Sequence, residues 1–212
     1  SLEKKLSEEY ERVLVYIGER PLRLAMYTYM DSDLFLAIKK SKNFNIFKDY
    51  LSFLNRIGKI LPEESDLLNT KAHAFLKNLE ETKMSKLYKM PLLLSFIEGD
   101  KLVPSVGEKE ITGSFRSFYS HKANAVDLLK DISTQGYAGW GDEDYYKLAV
   151  RNPIHFLCES SKEFFSFRDG RFYLSDDLAG FLDNPCFVKH FKDVVEYRVR
   201  RFYKERLEGF GG

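Results

Sequence analysis

Arg151 and Asn152 stand side by side at the head of the run Arg151-Asn152-Pro153-Ile154-His155-Phe156-Leu157, with His155, Ser160 and Lys162 close behind. Arginine can pair bidentately with a guanine edge and asparagine with an adenine edge, so a helix presenting them has the chemistry to read duplex DNA in the major groove. The next run, from Glu163 to Leu174, alternates apolar and polar residues about Asp169-Gly170, and Arg168 and Arg171 flank that pair. Asp-Gly supplies the positive φ angles of a two-residue hairpin turn. Long cationic side chains at such a turn reach phosphate or the minor groove. Two further sets of cations have the right type: Lys83, Lys86 and Lys89, which recur every third residue, and the C-terminal stretch holding Arg198 and Arg201. From Lys189 to Arg206 that stretch carries seven cations against three acids.

Each set also has a plainer use. Asn152 can cap a helix, lysines spaced by three can form a solvated face, and cations near a helix C-terminus stabilise its dipole. Glu159 and Glu163 would repel phosphate. A helix followed by a basic-tipped hairpin is the ending of a winged helix-turn-helix, and such modules also serve as protein-docking units, so docking in a multi-subunit assembly stands as the alternative function.

Catalytic chemistry finds less to work with. Arg151 and His155 resemble the arginine–histidine pair of HEPN ribonucleases, a third reading; that family usually places four to six residues between the two, and here there are three. No phosphate-cradling G-x-x-x-x-G-K-[ST] and no G-x-S-x-G elbow occurs. His73, His121, His155 and His190 lack metal-ligand spacing. The expectation is a non-enzyme without cofactor or metal.

The elements that would position these residues follow from periodicity. Pro153 suits the first turn of a short helix over 151–161, and 163–174 forms the hairpin. Residues 82–99 form a lysine-studded turn feeding a largely apolar, buried helix, Lys101–Pro104 an edge strand ending on proline, and Ser105–Tyr119 a second helix. Residues 121–141, including the glycine-rich stretch about Trp140, are an insertion, after which Asp142 caps a helix to about Val150. The expected whole is mainly α: an N-terminal helical layer over 1–80, then a winged helix-turn-helix domain over 81–212 that closes with a helix at 187–207. Within the layer, apolar spacing predicts helices at 2–17, 21–30, 34–40, 45–60 and 65–79, with Lys71, His73 and Lys77 facing outward.

Leu87 to Leu94, Ile111 to Tyr119, Arg151-Asn152-Pro153-Ile154, Phe164-Phe165 and Gly170-Arg171-Phe172 together resemble an accessory domain of restriction-type proteins, found beside helicase or nuclease modules. The resemblance covers about residues 83 to 203. It implies a DNA-recognition or DNA-contacting part of a prokaryotic defence system, with double-stranded DNA and a helicase or nuclease chain or domain as partners. No helicase or nuclease motif stands in this chain.

Composition limits the field. Thirty-three lysines and arginines nearly cancel 32 aspartates and glutamates, so attraction to DNA must come from a local patch and not from global charge. Cys158 and Cys186 lie in apolar contexts without paired spacing, which fits a reducing, cytoplasmic setting. No apolar run approaches the roughly 20 residues that span a bilayer, so no membrane partner is expected.

Overall fold

The computed structural model describes residues 1–210. The protein is mainly helical, with two small antiparallel sheets and a long C-terminal helix. The chain divides into two compact units: Ser1–Thr82 with the chain from Lys189 onward, and Lys83–Val188.

In the first unit, α1 (Leu2–Ile17) is capped by Ser1 and ended by Gly18 in the left-handed conformation, and it buries Leu6, Tyr10 and Val13. After α2 (Arg23–Tyr29), Asp31 accepts from the Leu34 amide and starts α3 (Ser32–Lys40). The helix expected over 45–60 shortens to α4 (Tyr50–Arg56). Its first residues are diverted because the Asn45 and Asp49 side chains accept local backbone amides, a bonding pattern that competes with helix. The helix expected over 65–79 begins only at α6 (Lys71–Glu81): a short α5 (Pro62–Ser65) ends where it should start, and α6 follows after Asn69 takes a φ of 62° and Thr70 caps it. His73, expected outside, is buried: its Nδ1 accepts from the Asn69 amide, so its Nε2–H donates to Asp49 at 2.8 Å.

The last helix, α12 (Pro185–Phe210), contributes its residues from Lys189 onward to this unit. There Tyr197 stacks on Phe47 and Phe191 on Phe75. Beside this aromatic core lies a buried polar network centred on Arg23, whose side chain is fully inaccessible. Its Nε donates to Glu80 at 2.7 Å and its Nη1 to Asp193 at 3.1 Å and to His190 Nδ1 at 3.0 Å. Because arginine has only donors, His190 Nδ1 must accept, and the ring proton sits on Nε2, bonded to Glu64 at 2.6 Å. Burial opposes ionisation of Glu64, but bonds from His190, the Leu61 amide and Arg20 outweigh it and bring the carboxyl down to about 2. Burial pushes Glu80 up to about 7 against the pull of Arg23.

The second unit opens with an irregular stretch over 83–88, where the lysine-studded turn is expected, followed by α7 (Lys89–Leu94), which stops short of Gly99 because Ile97–Glu98 form a strand. Residues β1 (Ile97–Glu98) and β2 (Lys101–Leu102) pair with each other about Gly99, so Lys101–Pro104 is not the strand that joins the later hairpin. That strand is β3 (Ser105–Val106), and α8 (Glu108–Ser120) starts three residues later than the apolar pattern suggests, with Glu110 accepting from the Gly107 amide. The inserted stretch holds a 3-10 turn at Lys122–Ala125, α9 (Val126–Lys130) and a second 3-10 turn at Tyr137–Gly139. Trp140 packs edge-on against Tyr145. Helices α10 (Asp142–Ala149) and α11 (His155–Ser160) follow, then β4 (Phe165–Arg168) and β5 (Arg171–Leu174). The sheet order is β3-β5-β4, all antiparallel.

Candidate nucleic-acid interface

The helix expected over 151–161 begins nine residues earlier, at Asp142. Helices α10 and α11 are continuous through a π-helical turn, Val150–Ile154, with Pro153 inside it. Proline has no N–H and its ring crowds the preceding turn. The widened turn is where an α-helix can absorb both, which makes Pro153 a mid-helix residue here and not a first-turn one. Arg151 and His155 are exposed, Asn152 is half-buried, and Pro153, Ile154 and Leu157 face the core.

The hairpin forms where the Asp-Gly pair places it. Asp169 and Gly170 have φ values of 52° and 75°, both positive as a two-residue turn of the mirror-image type requires. Register pairs Arg168 with Arg171, Phe167 with Phe172, Ser166 with Tyr173 and Phe165 with Leu174. Alternation then puts Phe165, Phe167, Phe172 and Leu174 on one face and Ser166, Arg168, Arg171 and Tyr173 on the other. Phe165 and Phe172 stack with centroids 5.2 Å apart. The Tyr146 hydroxyl donates to the Gly170 carbonyl at 2.8 Å and ties the turn to α10.

Of the eleven residues with DNA-contacting chemistry, five are less than fully exposed and held by bonds that leave them a structural use. Lys89 is buried and donates to the Lys83 carbonyl, and Lys86 pairs with Asp131 at 3.2 Å. Since 83–88 is not helical, the three lysines share no helical face. Arg171 bonds the Ser105 hydroxyl through Nε and Nη2 and the Ser105 carbonyl through Nη2, locking β3 beside β5. In the other unit, Arg198 donates to the carbonyls of Leu79, Glu80 and Thr82, closing the C-terminal end of α6. Arg201 bonds Tyr197 and Glu205 and lies over the rings of Tyr27, Phe35 and Phe47. These five are structural cations.

Six remain, all in the 83–188 unit. Arg151 and Lys162 are exposed and have no carboxylate partner among the described residues. Arg168 is exposed and lies 3.8 Å from the Tyr173 ring centroid. His155 meets Glu159 one turn on at 3.4 Å, Ser160 donates to the Phe156 carbonyl, and Asn152 completes the set. Against these stand the carboxylates of Asp142, Glu143 and Asp144, which fill the first turn of α10 and suit its dipole. Glu143 is paired with Lys147.

Signals missed in the sequence lie on the scaffold side. Tyr146, which anchors the turn, has no motif around it, and the Arg171–Ser105 bond joins positions 66 apart. Comparison with protein-family models, with characterised proteins and with solved structures finds no match for this chain.

Proposed function

We propose that the 83–188 unit is a winged helix-turn-helix module and that it contacts duplex DNA through its hairpin and the C-terminal half of the helix at 142–160. The observation that carries this reading is the order of the main elements: α7, the small β1-β2 hairpin, strand β3, α8, the short inserted α9, the α10–α11 helix, then a hairpin whose second strand, β5, lies between β3 and β4. A winged module lays its third helix in the major groove while the wing reaches the backbone. Arg151, Lys162 and Arg168 supply the free charge, with Asn152, His155 and Ser160 beside them. The acidic first turn repels phosphate, so Arg151, Lys162 and Arg168 serve as backbone contacts and the footprint is small. The wider role, an accessory part of a prokaryotic restriction or defence system working with a helicase or nuclease, rests on the resemblance of residues 83–203.

Three phosphate contacts set the size of the effect. The slope of log K against log salt is about −0.9 per contact on duplex DNA, so about −2.7 is expected. Titrating a labelled duplex across a salt series tests it, and Arg151→Ala, Lys162→Ala and Arg168→Ala should each flatten the slope by about 0.9. Binding that ignores salt, or three variants that behave as the parent does, would refute the DNA reading.

A second reading, a protein-docking module, is favoured by the same acidic turn and by Phe156, a large aromatic left 48 % exposed on α11. Its signature in the same titration is the absence of duplex binding.

A further inference from the structure

We propose that the unit formed by 1–82 and the chain from Lys189 carries a groove for single-stranded nucleic acid, distinct from the duplex contact above. One wall is aromatic. Tyr16, at the end of α1, is 70 % exposed and Tyr29, at the end of α2, is 43 % exposed, and their rings meet with centroids 5.4 Å apart. Exposed aromatic rings in contact are unusual on a free surface, where large apolar groups stay scattered. The opposite wall is α12, which presents Lys189, Lys192 and Arg200 to the same groove of about 920 Å³.

Spacing makes these cations a track. Lys189 and Arg200 are eleven residues apart, three helical turns, so they share a face about 16 Å apart at 1.5 Å per residue. Both are exposed, and neither has a carboxylate partner among the described residues. Three carboxylates also line the groove. Asp193 is compensated, since it accepts from the Arg23 and Leu24 amides and from the Arg23 guanidinium. Glu19 and Glu196 remain, and burial with Asp193 nearby raises the pKa of Glu196 while Lys192 opposes it.

Aromatic rings beside a line of cations match the chemistry of a strand whose bases are unpaired, because bases stack on rings while phosphates follow the charge. A duplex offers no open base faces to Tyr16 and Tyr29. A simple polyanion would use the cations and leave the rings bare.

The test is fluorescence anisotropy of the full chain with labelled oligothymidylate, with oligouridylate as a second arm and inorganic polyphosphate as a baseless competitor. Stacking is worth roughly a factor of 5 to 150 per base, so Tyr16→Ala with Tyr29→Ala should weaken binding at least fivefold. The corresponding Phe pair, which keeps the rings, should retain it. Lys189→Ala with Arg200→Ala should flatten the salt slope by about 1.4, at about 0.7 per contact on single strands. Glu196→Gln should tighten binding. Arg168→Ala should leave single-strand binding unchanged, which separates a failure here from a failure of the duplex reading. No single-strand binding, competition by polyphosphate as effective as by the oligonucleotide, or tyrosine variants equal to the parent would each overturn the proposal.

Discussion

Arg23→Met tests whether the buried network, and not only the aromatic core, holds the first unit together. Methionine keeps most of the volume and removes the charge. The variant strands Glu80, whose side chain is 1 % exposed, and leaves Asp193 and His190 without their shared donor. Removing one partner of a buried ion pair costs about 3–5 kcal/mol, because the other charge stays behind. A domain's whole stability is about 5–15 kcal/mol, so the loss should be plain. Glu80 already sits at about 7 and can take up a proton, so the cost should be larger at pH 8 than at pH 5. Trp140 belongs to the other unit, so hydrogen exchange of peptides from α2 and α6 is the readout for this region. Adding Glu80→Gln to the variant should recover at least 1 kcal/mol by removing the stranded charge. A cost under about 1 kcal/mol at pH 8, or a double variant no better than the single, would refute the reasoning.

Glu80→Gln alone should change the pH dependence. With a folded pKa of about 7 against an ordinary 4.5, Glu80 favours folding fully below 4.5, and that contribution falls as pH rises through 7. The full change is about 3 kcal/mol at 1.36 kcal/mol per unit. Denaturation of parent and variant between pH 4.5 and 8 should show it in the difference between the two. His190 acts oppositely: burial first, and then Arg23, hold its pKa below 6.5, so its contribution is lost as pH falls below that value, and His190→Gln should lessen acid sensitivity. Arg198→Ala uncaps three carbonyls at the end of α6 and should speed hydrogen exchange there, at a cost of about 1–3 kcal/mol. Gly107→Ala places a methyl group 2.7 Å from Arg171 Nη1. It should displace the guanidinium from Ser105, so its effect on thermal unfolding, followed by Trp140 fluorescence, should not add to that of Arg171→Ala.

What could be read in advance was local. Helix α1 announces itself through apolar spacing, a serine cap and a terminal glycine, and the hairpin through alternation about Asp-Gly. Pro153 misled because its first-turn preference is statistical, whereas a π turn lets proline sit inside a helix, and nothing in the flanking residues marks that turn. Asn45 and Asp49 shortened one helix by bonding neighbouring amides, and Asn69 delayed another by taking a positive φ, options the apolar pattern does not register. The site was legible as a set of residue types and much less as a set of available charges. Arg171 and Lys89 look like surface cations until Ser105 and the Lys83 carbonyl come beside them, and Arg198 until the end of α6 does. His73 was placed outside because its Asp49 partner lies 24 residues away.

The first unit is discontinuous, and that orders events on the ribosome. Arg23 and its partner Asp193 are 170 positions apart, so the polar network cannot close until Asp193 has left the ribosome. Residues 83–188 carry their own sheet and core on one uninterrupted stretch and can condense while α12 is still in the exit tunnel. Until then Arg23 of α2 can meet Glu80 of α6 but lacks Asp193 and His190, and the first segment waits as a partly formed surface. A nascent chain stalled with the residues from Lys189 onward still in the tunnel should therefore protect the middle from protease and leave the beginning open to it.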